Sequence, residues 1–566
     1  MTDTLTAHKK TMIYQLLPRL FGNKQHHNIP YGTIEENGCG KFDDISDKAL
    51  DGIREMGTTH VWYTGIVSHA TLTAYNNAGL PANNANVVKG RAGSPYAVRD
   101  YYDVDPDLAT VVENRMAEFE LLVERTHHKG MKVIIDFVPN HVSRQYKSLV
   151  RPEGIKDFGE EDDRYTAFSP GNDYYYMPGK DLILPSLVWG LQTPIAALTA
   201  ERYLESPAKA TGNNVFSEKP SAEDWYETVK LNYGVDFQHD GQQYFDPIPG
   251  LWTKMLDILV YWTKKSVDGF RCDMAELVPL EFWAWVIPEV KKINHELVFI
   301  GESYDPASYK AFLTKGKFDF LYDKVGLYDG LKRLTKAEAD AHVNDIRKVW
   351  ETENADIRDR MLHFMENHDE ERIASPGFAG RAELGLPAMV VTATLSAGPV
   401  MTYSGQEVGE PAREAAGFGG HNNRTTIFDY WGLSEHQKWM NDGAFDGAKL
   451  VGEQKELRNY YVKLLQLAGT SAAIANGGFW EIPATGNMNQ RMYGYIRYTT
   501  EQRLLVLVNF DRHYRMESEV QVPGHILAYR PVTRVWDRLS DLVINEIKAQ
   551  TIPVWVLPMS ARILEF

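Results

Sequence analysis

Four apolar, β-branched runs, each closing on polar residues, limit what this chain can fold into more than any other feature of it. The first is Met131-Lys132-Val133-Ile134-Ile135-Asp136-Phe137-Val138-Pro139-Asn140-His141, in which Asp136, Val138 and Asn140 share one face. The second, Asp268-Gly269-Phe270-Arg271-Cys272-Asp273-Met274-Ala275-Glu276, sets Arg271 and Asp273 two residues apart, so strand alternation points both to one surface. There Arg271 would keep Asp273 ionised by lowering its pKa, as suits a carboxylate that acts as a nucleophile. Val298-Phe299-Ile300-Gly301-Glu302-Ser303-Tyr304 ends on a Glu, and Met361-Leu362-His363-Phe364-Met365-Glu366-Asn367-His368-Asp369 on Asn, His and Asp. An isolated Arg-x-Asp reads as an ordinary buried ion pair. Four runs with polar C-terminal ends instead match a parallel barrel, whose active site lies on the rim where those ends converge.

Taken in order, DFVPNH (Asp136–His141), GFRCDMAE (Gly269–Glu276), GES (Gly301–Ser303) and ENHD (Glu366–Asp369) resemble the four short sequence regions of the α-amylase family of glycoside hydrolases, family thirteen. Tyr14-Gln15 resembles the start of the family's first strand, Thr59 to Thr64 its second, and Ser94 to Tyr101 its "GY…DY" loop. The resemblance implies an α/β fold, a (β/α)8 TIM barrel with a subdomain inserted after the third strand. It also implies retaining cleavage of an α-glucosidic bond. Asp273 would attack the anomeric carbon, Glu302 would serve as acid and then base, and Asp369 would bind sugar hydroxyls and favour ring distortion. Arg271, His141 and His368 would complete the shell, with Tyr96 stacked beneath the sugar. Structural calcium is implied between barrel and insert, held partly by Asn140 and by the backbone carbonyl at the Leu277 position. Where many members carry Lys and His three and four residues after the nucleophile, this chain has Glu276 and Leu277. That departure predicts an altered aglycone side of the cleft.

A length of 566 residues predicts two to four domains. The texture divides the chain into barrel (1–141), insert (142–249), barrel (250–472) and, where alternating runs such as Leu504 to Asn509 begin, a C-terminal antiparallel β-sandwich (473–566). Within the insert, Ser221 to Tyr226 reads as a capped helix start whose aromatics either pack the insert or face the cleft. A net charge of -16 argues against nucleic acid or an anionic membrane as partner and fits a neutral glucan or maltooligosaccharide.

The 30 Tyr and 13 Trp suit sugar faces, although most are expected in cores. Two cysteines make no disulfide framework, and alternation turns Cys272 away from Arg271 and Asp273 towards the helices. His26-His27 and His127-His128 lack the spacing of a zinc site. The uncharged stretch Leu384 to Tyr403 is broken by Pro387, Gly398 and Pro399, which predicts a buried helix followed by the last barrel strand. Residues 1–7 show no apolar export signal, which leaves the compartment open, and a monomer is expected.

The reading is therefore an α-1,4-glucan hydrolase of the α-amylase type. Alternatives on the same scaffold are an exo-acting maltodextrin hydrolase, a cyclodextrinase or a 4-α-glucanotransferase. A non-catalytic glucan-binding protein would require the loss of an acid, and Asp273, Glu302 and Asp369 are all present.

Overall fold

The computed structural model describes residues 10–185, 201–414, 417–527, 532, 534–544 and 550–566. Eight parallel strands alternate with eight helices: β1 (Met12–Leu16), α1 (Asp47–Glu55), β2 (His60–Tyr63), α2 (Arg115–His128), β3 (Lys132–Phe137), α3 (Gly250–Lys264), β4 (Gly269–Cys272), α4 (Leu280–Lys291), β5 (Val298–Gly301), α5 (Tyr309–Thr314), β6 (Phe320–Tyr322), α6 (Asp329–Lys336), β7 (Met361–Leu362), α7 (Leu386–Thr394), β8 (Val400–Tyr403) and α8 (Gly452–Thr470). The strands pair in the order β7-β6-β5-β4-β3-β2-β1-β8. A parallel bridge between His363 and Val400 brings the two ends of the sheet together, so the barrel is nearly closed.

Both faces of each strand are buried, which is why the strands read as continuous apolar runs rather than as clean alternation. Ile13, Trp62, Ile134, Ile300, Tyr322, Leu362 and Met401 fill the barrel interior. Val61, Val133, Ile135, Phe270, Cys272 and Phe299 face outward into the layer between strands and helices. Each such Val, Ile or Phe removed from water contributes about 1.5–3 kcal/mol before entropy is counted. Cys272 is thus turned away from the rim, and burial pushes its thiol well above the usual range. Gly269 lets β4 lie close to β5, because a Cβ there would sit 2.7 Å from the Val298 carbonyl oxygen.

Between β3 and α3 the chain leaves the barrel. His141–Ser143 pairs antiparallel with Thr228–Lys230, and Tyr176–Met177 with Ala208–Lys209, in short ladders that hold the insert against the rim. No helix begins at Ser221. The Asp224 carboxylate accepts the Ser221 N–H at 2.7 Å and an N–H of the Asn213 amide at 2.9 Å, so the segment forms a turn.

Beyond α8, a six-stranded antiparallel sheet contains β9 (Gly478–Glu481), β10 (Met492–Tyr498), β11 (Arg503–Asn509), β13 (Val535–Asp537), β14 (Val543–Ile544) and β16 (Ser560–Glu565). It packs on a two-stranded sheet of β12 (Met516–Gln521) and β15 (Thr551–Val556). Helix α7 lies between barrel and sandwich with every residue from Pro387 to Thr394 buried, and Thr394 meets the Tyr495 hydroxyl at 2.8 Å. Its apolarity comes from burial on all sides. Among the described residues no helix is long and apolar enough to cross a membrane.

Candidate active site

The C-terminal ends of β3, β4 and β5 are aligned so that Arg271 pairs in register with Asp136 on one side and Ile300 on the other. Two residues beyond that register, β4 and β5 deliver Asp273 and Glu302 to the rim. The Asp273 N–H bonds to the Phe137 carbonyl at 2.8 Å, and the Glu302 N–H to the Cys272 carbonyl at 3.1 Å. Arg271 is fully buried and forms the hub. Its Nη1 lies 2.7 Å from Asp273 Oδ1 and 3.5 Å from Asp136 Oδ1, and its Nη2 lies 2.7 Å from Glu302 Oε1. The rings of Trp62, Tyr96 and Tyr322 surround the guanidinium at 5.3–5.6 Å. One guanidinium therefore sets two carboxylates side by side.

Asp369 reaches the same cavity from the end of β7. Its Oδ2 lies 2.8 Å from His368 Nε2, and its side chain is 39% exposed. Gln15 donates an amide N–H to His368 Nδ1 at 2.7 Å, which leaves the ring proton on Nε2, facing Asp369. Tyr96 lies nearly parallel to the His368 ring, with its hydroxyl 2.6 Å from Nε2. Burial works against ionisation of Asp369, but His368 and then Arg271 outweigh it and bring its carboxyl down to about 2.

Asp273 goes the other way. Burial, with the neighbouring charges of Glu302 and Asp369, pushes its carboxyl well above the usual range, and Arg271 only partly restores it. Arg271 thus pulls the Asp273 pKa down as expected, but the expectation that this keeps the carboxyl low is corrected, because the net shift is upward. One buried cation is shared by several carboxylates, and desolvation exceeds its pull.

Asp273, Glu302, Asp369, Tyr96 and His141 all line one cavity of about 220 Å³. Arg271 and His368 stand behind it. Trp225, Tyr304, Met274 and Phe428 also line it, none of them named as a site residue from the sequence. Of the two aromatics after Asp224, Trp225 faces the cavity with its ring 5.2 Å from that of His141 and tilted by 58°, and Tyr226 packs inside the insert. Tyr304 had one signal, its place directly after the GES triplet. Its hydroxyl donates to Glu302 Oε1 at 2.6 Å. Asp136, on the same face as Asn140 in the sequence, accepts from Trp62 Nε1 at 3.2 Å and from the Gly65 N–H at 3.1 Å.

Asn140 does not fit the calcium site implied above. Its Oδ1 takes a short hydrogen bond from Lys230 Nζ, and the same nitrogen donates to the Leu277 carbonyl at 3.0 Å. Both oxygens that the resemblance assigns to an ion are therefore occupied by a buried lysine. Among the described residues no three His, Cys, Asp or Glu side chains are grouped to hold a metal. Burial pushes the Lys230 amine down to about 7, and either protonation state supplies the two N–H donors needed.

Lys230 also orients the Asn140 amide. With Oδ1 engaged, Nδ2 donates to the Gly212 carbonyl at 2.8 Å and to His141 Nδ1 at 3.0 Å. The ring proton of His141 is then on Nε2. Burial and then the Lys230 charge push His141 down to about 3, so it is neutral at ordinary pH.

Glu276, which stands where many members carry Lys, turns to the loop after β5. Its Oε2 accepts the backbone N–H groups of Tyr304 at 2.8 Å and Asp305 at 3.1 Å.

A parallel barrel with paired carboxylates on its C-terminal rim defines a class of glycoside-cleaving enzymes by site as well as by fold. The family model for the α-amylase catalytic domain matches residues 15–444. This chain belongs to the α-amylase family of glycoside hydrolases. It is 22% identical to α-amylase 3 of Dictyoglomus thermophilum, over 89% of this chain and 85% of that one. It is 21% identical to neopullulanase 2 of Thermoactinomyces vulgaris, over 91% and 72%. Among solved structures, a maltogenic α-amylase of Thermotoga neapolitana superposes with a TM-score of 0.62 at 20% identity, covering 98% of each chain. The enzyme acts on α-glucans by hydrolysis or transglycosylation.

Proposed function

We propose that the protein is a retaining hydrolase of α-1,4-glucosidic bonds in starch, glycogen or maltodextrins. The observation that carries this reading is the placement of Asp273 and Glu302 on adjacent nitrogens of one buried guanidinium, with Asp369 on the same cavity. Asp273 attacks the anomeric carbon and forms a glycosyl ester as the C–O bond to the leaving sugar breaks. Glu302 gives its proton to the departing oxygen. Water then attacks the same anomeric carbon and loses its proton to Glu302, while the bond from that carbon to the Asp273 oxygen breaks and frees the carboxylate. Asp369, ionised throughout, accepts hydrogen bonds from sugar hydroxyls and favours the oxocarbenium-like ring.

A second reading, exo-acting cleavage of short maltodextrins, is favoured by the cavity itself. Its volume of about 220 Å³ lies below the ~300–1,000 Å³ usual for ligand pockets, and Trp225 and Phe428 wall it in, so it suits one sugar ring more than a long chain. A product time course on starch and maltoheptaose separates the two. Proton NMR before mutarotation is expected to show an α-anomer first, because two displacements at one carbon restore configuration. An initial β-anomer would overturn the mechanism. Early loss of iodine staining supports internal cutting, whereas glucose or maltose released with staining preserved places the enzyme in the exo-acting class.

The pH profile offers an independent check. Asp273 must be ionised to attack, and its folded pKa is raised, so kcat/KM should fall as pH drops through a value above the ordinary Asp figure of ~3.9. That limb belongs to the coupled carboxylates together. A limb at or below ~3.9 would show that Arg271 governs Asp273 after all.

A further inference from the structure

The turn after β4 and the loop after β5 are clasped by two glutamates, each accepting from the other's segment. Glu302 Oε2 takes the Met274 N–H at 2.8 Å, offered from a left-handed backbone (φ 43°) that a non-glycine residue seldom adopts. In return, Glu276 Oε2 takes the N–H groups of Tyr304 and Asp305 and the Ser303 hydroxyl at 3.1 Å. Asp305, Pro306 and Ala307, at the tip of that loop, are exposed, and the loop's own bonds, from the Ala307 N–H to Asp305 Oδ1 and from the Ser308 hydroxyl to the Asp305 carbonyl, shape the tip without tying it to the turn after β4. Tyr304, held at its base, presents its hydroxyl to Glu302 Oε1 and its ring to the cavity.

We propose that Glu276 is a positioning residue for the acid/base step, acting through Tyr304: its carboxylate fixes the loop that seats the phenol on Glu302. The inference rests on the proposed role of Glu302. Proton transfer to a leaving oxygen depends steeply on placement, and a misplacement of ~1 Å can cost on the order of 10²-fold. Removal of the Glu276 carboxylate leaves three donors without their acceptor and frees Tyr304 to swing away. A cation at position 276 would repel those N–H groups, which gives the acid at this position a reason of its own.

The test compares kcat/KM, which reports steps up to leaving-group departure, on maltoheptaose and on α-maltosyl fluoride. The sugar needs a proton to leave and fluoride does not. Glu276→Ala and Tyr304→Phe are each expected to lose ~10- to 100-fold on maltoheptaose while keeping most of their kcat/KM on the fluoride. Glu276→Gln, whose carbonyl oxygen accepts the same N–H groups, should recover most of the loss. Tyr304→Phe leaves the clasp intact and keeps the test valid if Glu276→Ala folds poorly. Equal losses on both substrates, or no loss on maltoheptaose, would overturn the inference and leave the proposed function standing. No sugar released from either substrate by the unaltered enzyme would overturn the proposed function and the inference with it.

Discussion

Asp273→Asn and Glu302→Gln should each remove most turnover of maltoheptaose and leave the fold intact. For Glu302→Gln the loss should be on the order of 10²–10⁴-fold, the usual worth of a positioned acid/base, and Asp273→Asn should cost at least as much, because no ester forms without it. The fold survives because both replacements keep shape. In Asp273→Asn, Arg271 still faces Glu302 at 2.7 Å and Asp136 at 3.5 Å, so no buried cation is left alone. Both acids act on one transition state, so the double variant should lose far less than the product of the single losses. Initial rates by reducing-sugar release, with melts to show folded protein, provide the measurement. Near-normal turnover in either single variant would remove that acid from its role.

Lys230→Met should lower thermal stability and weaken substrate binding together, while a chelator does neither in the unaltered protein. Met fills the stem volume of Lys but donates nothing, so Asn140 Oδ1 and the Leu277 carbonyl lose a donor in a buried site, at a cost of about 1–3 kcal/mol each. Those contacts tie the insert to the turn after the nucleophile, so the melt should broaden as well as shift. The Asn140 amide is then free to flip, the His141 tautomer is no longer set, and KM should rise more than kcat falls. Differential scanning calorimetry with and without EDTA, plus elemental analysis, decides the metal question. A large drop in melting temperature on chelation, together with about one bound calcium per chain, would restore the ion to this fold.

The sequence by itself determined seven of the eight barrel strands, all but β6, together with the polar residues at the C-terminal ends of four of them and the residues expected on the rim. Strand alternation is a local property, and by itself it places Arg271 and Asp273 on one face and Cys272 on the other. Pro387 likewise marked the first turn of α7, and Gly398-Pro399 separated that helix from β8, because proline and glycine act on the backbone where they stand. Tertiary structure alone decided the rest.

Lys230 lies 90 residues from Asn140, and only the folded insert brings its amine to the oxygens where calcium was expected. Glu276 kept its place in the motif, but its direction depended on loop N–H groups 28 and 29 residues away. Trp225 faces the cavity from a turn where the sequence predicts a helix start, and the Asn213 amide, 11 residues before Asp224, meets that turn only in the folded insert. The ionisation of Asp273 reversed from expectation for the same reason. A pKa sums burial and every charge within reach, and those sums exist only once the chain has closed around Arg271.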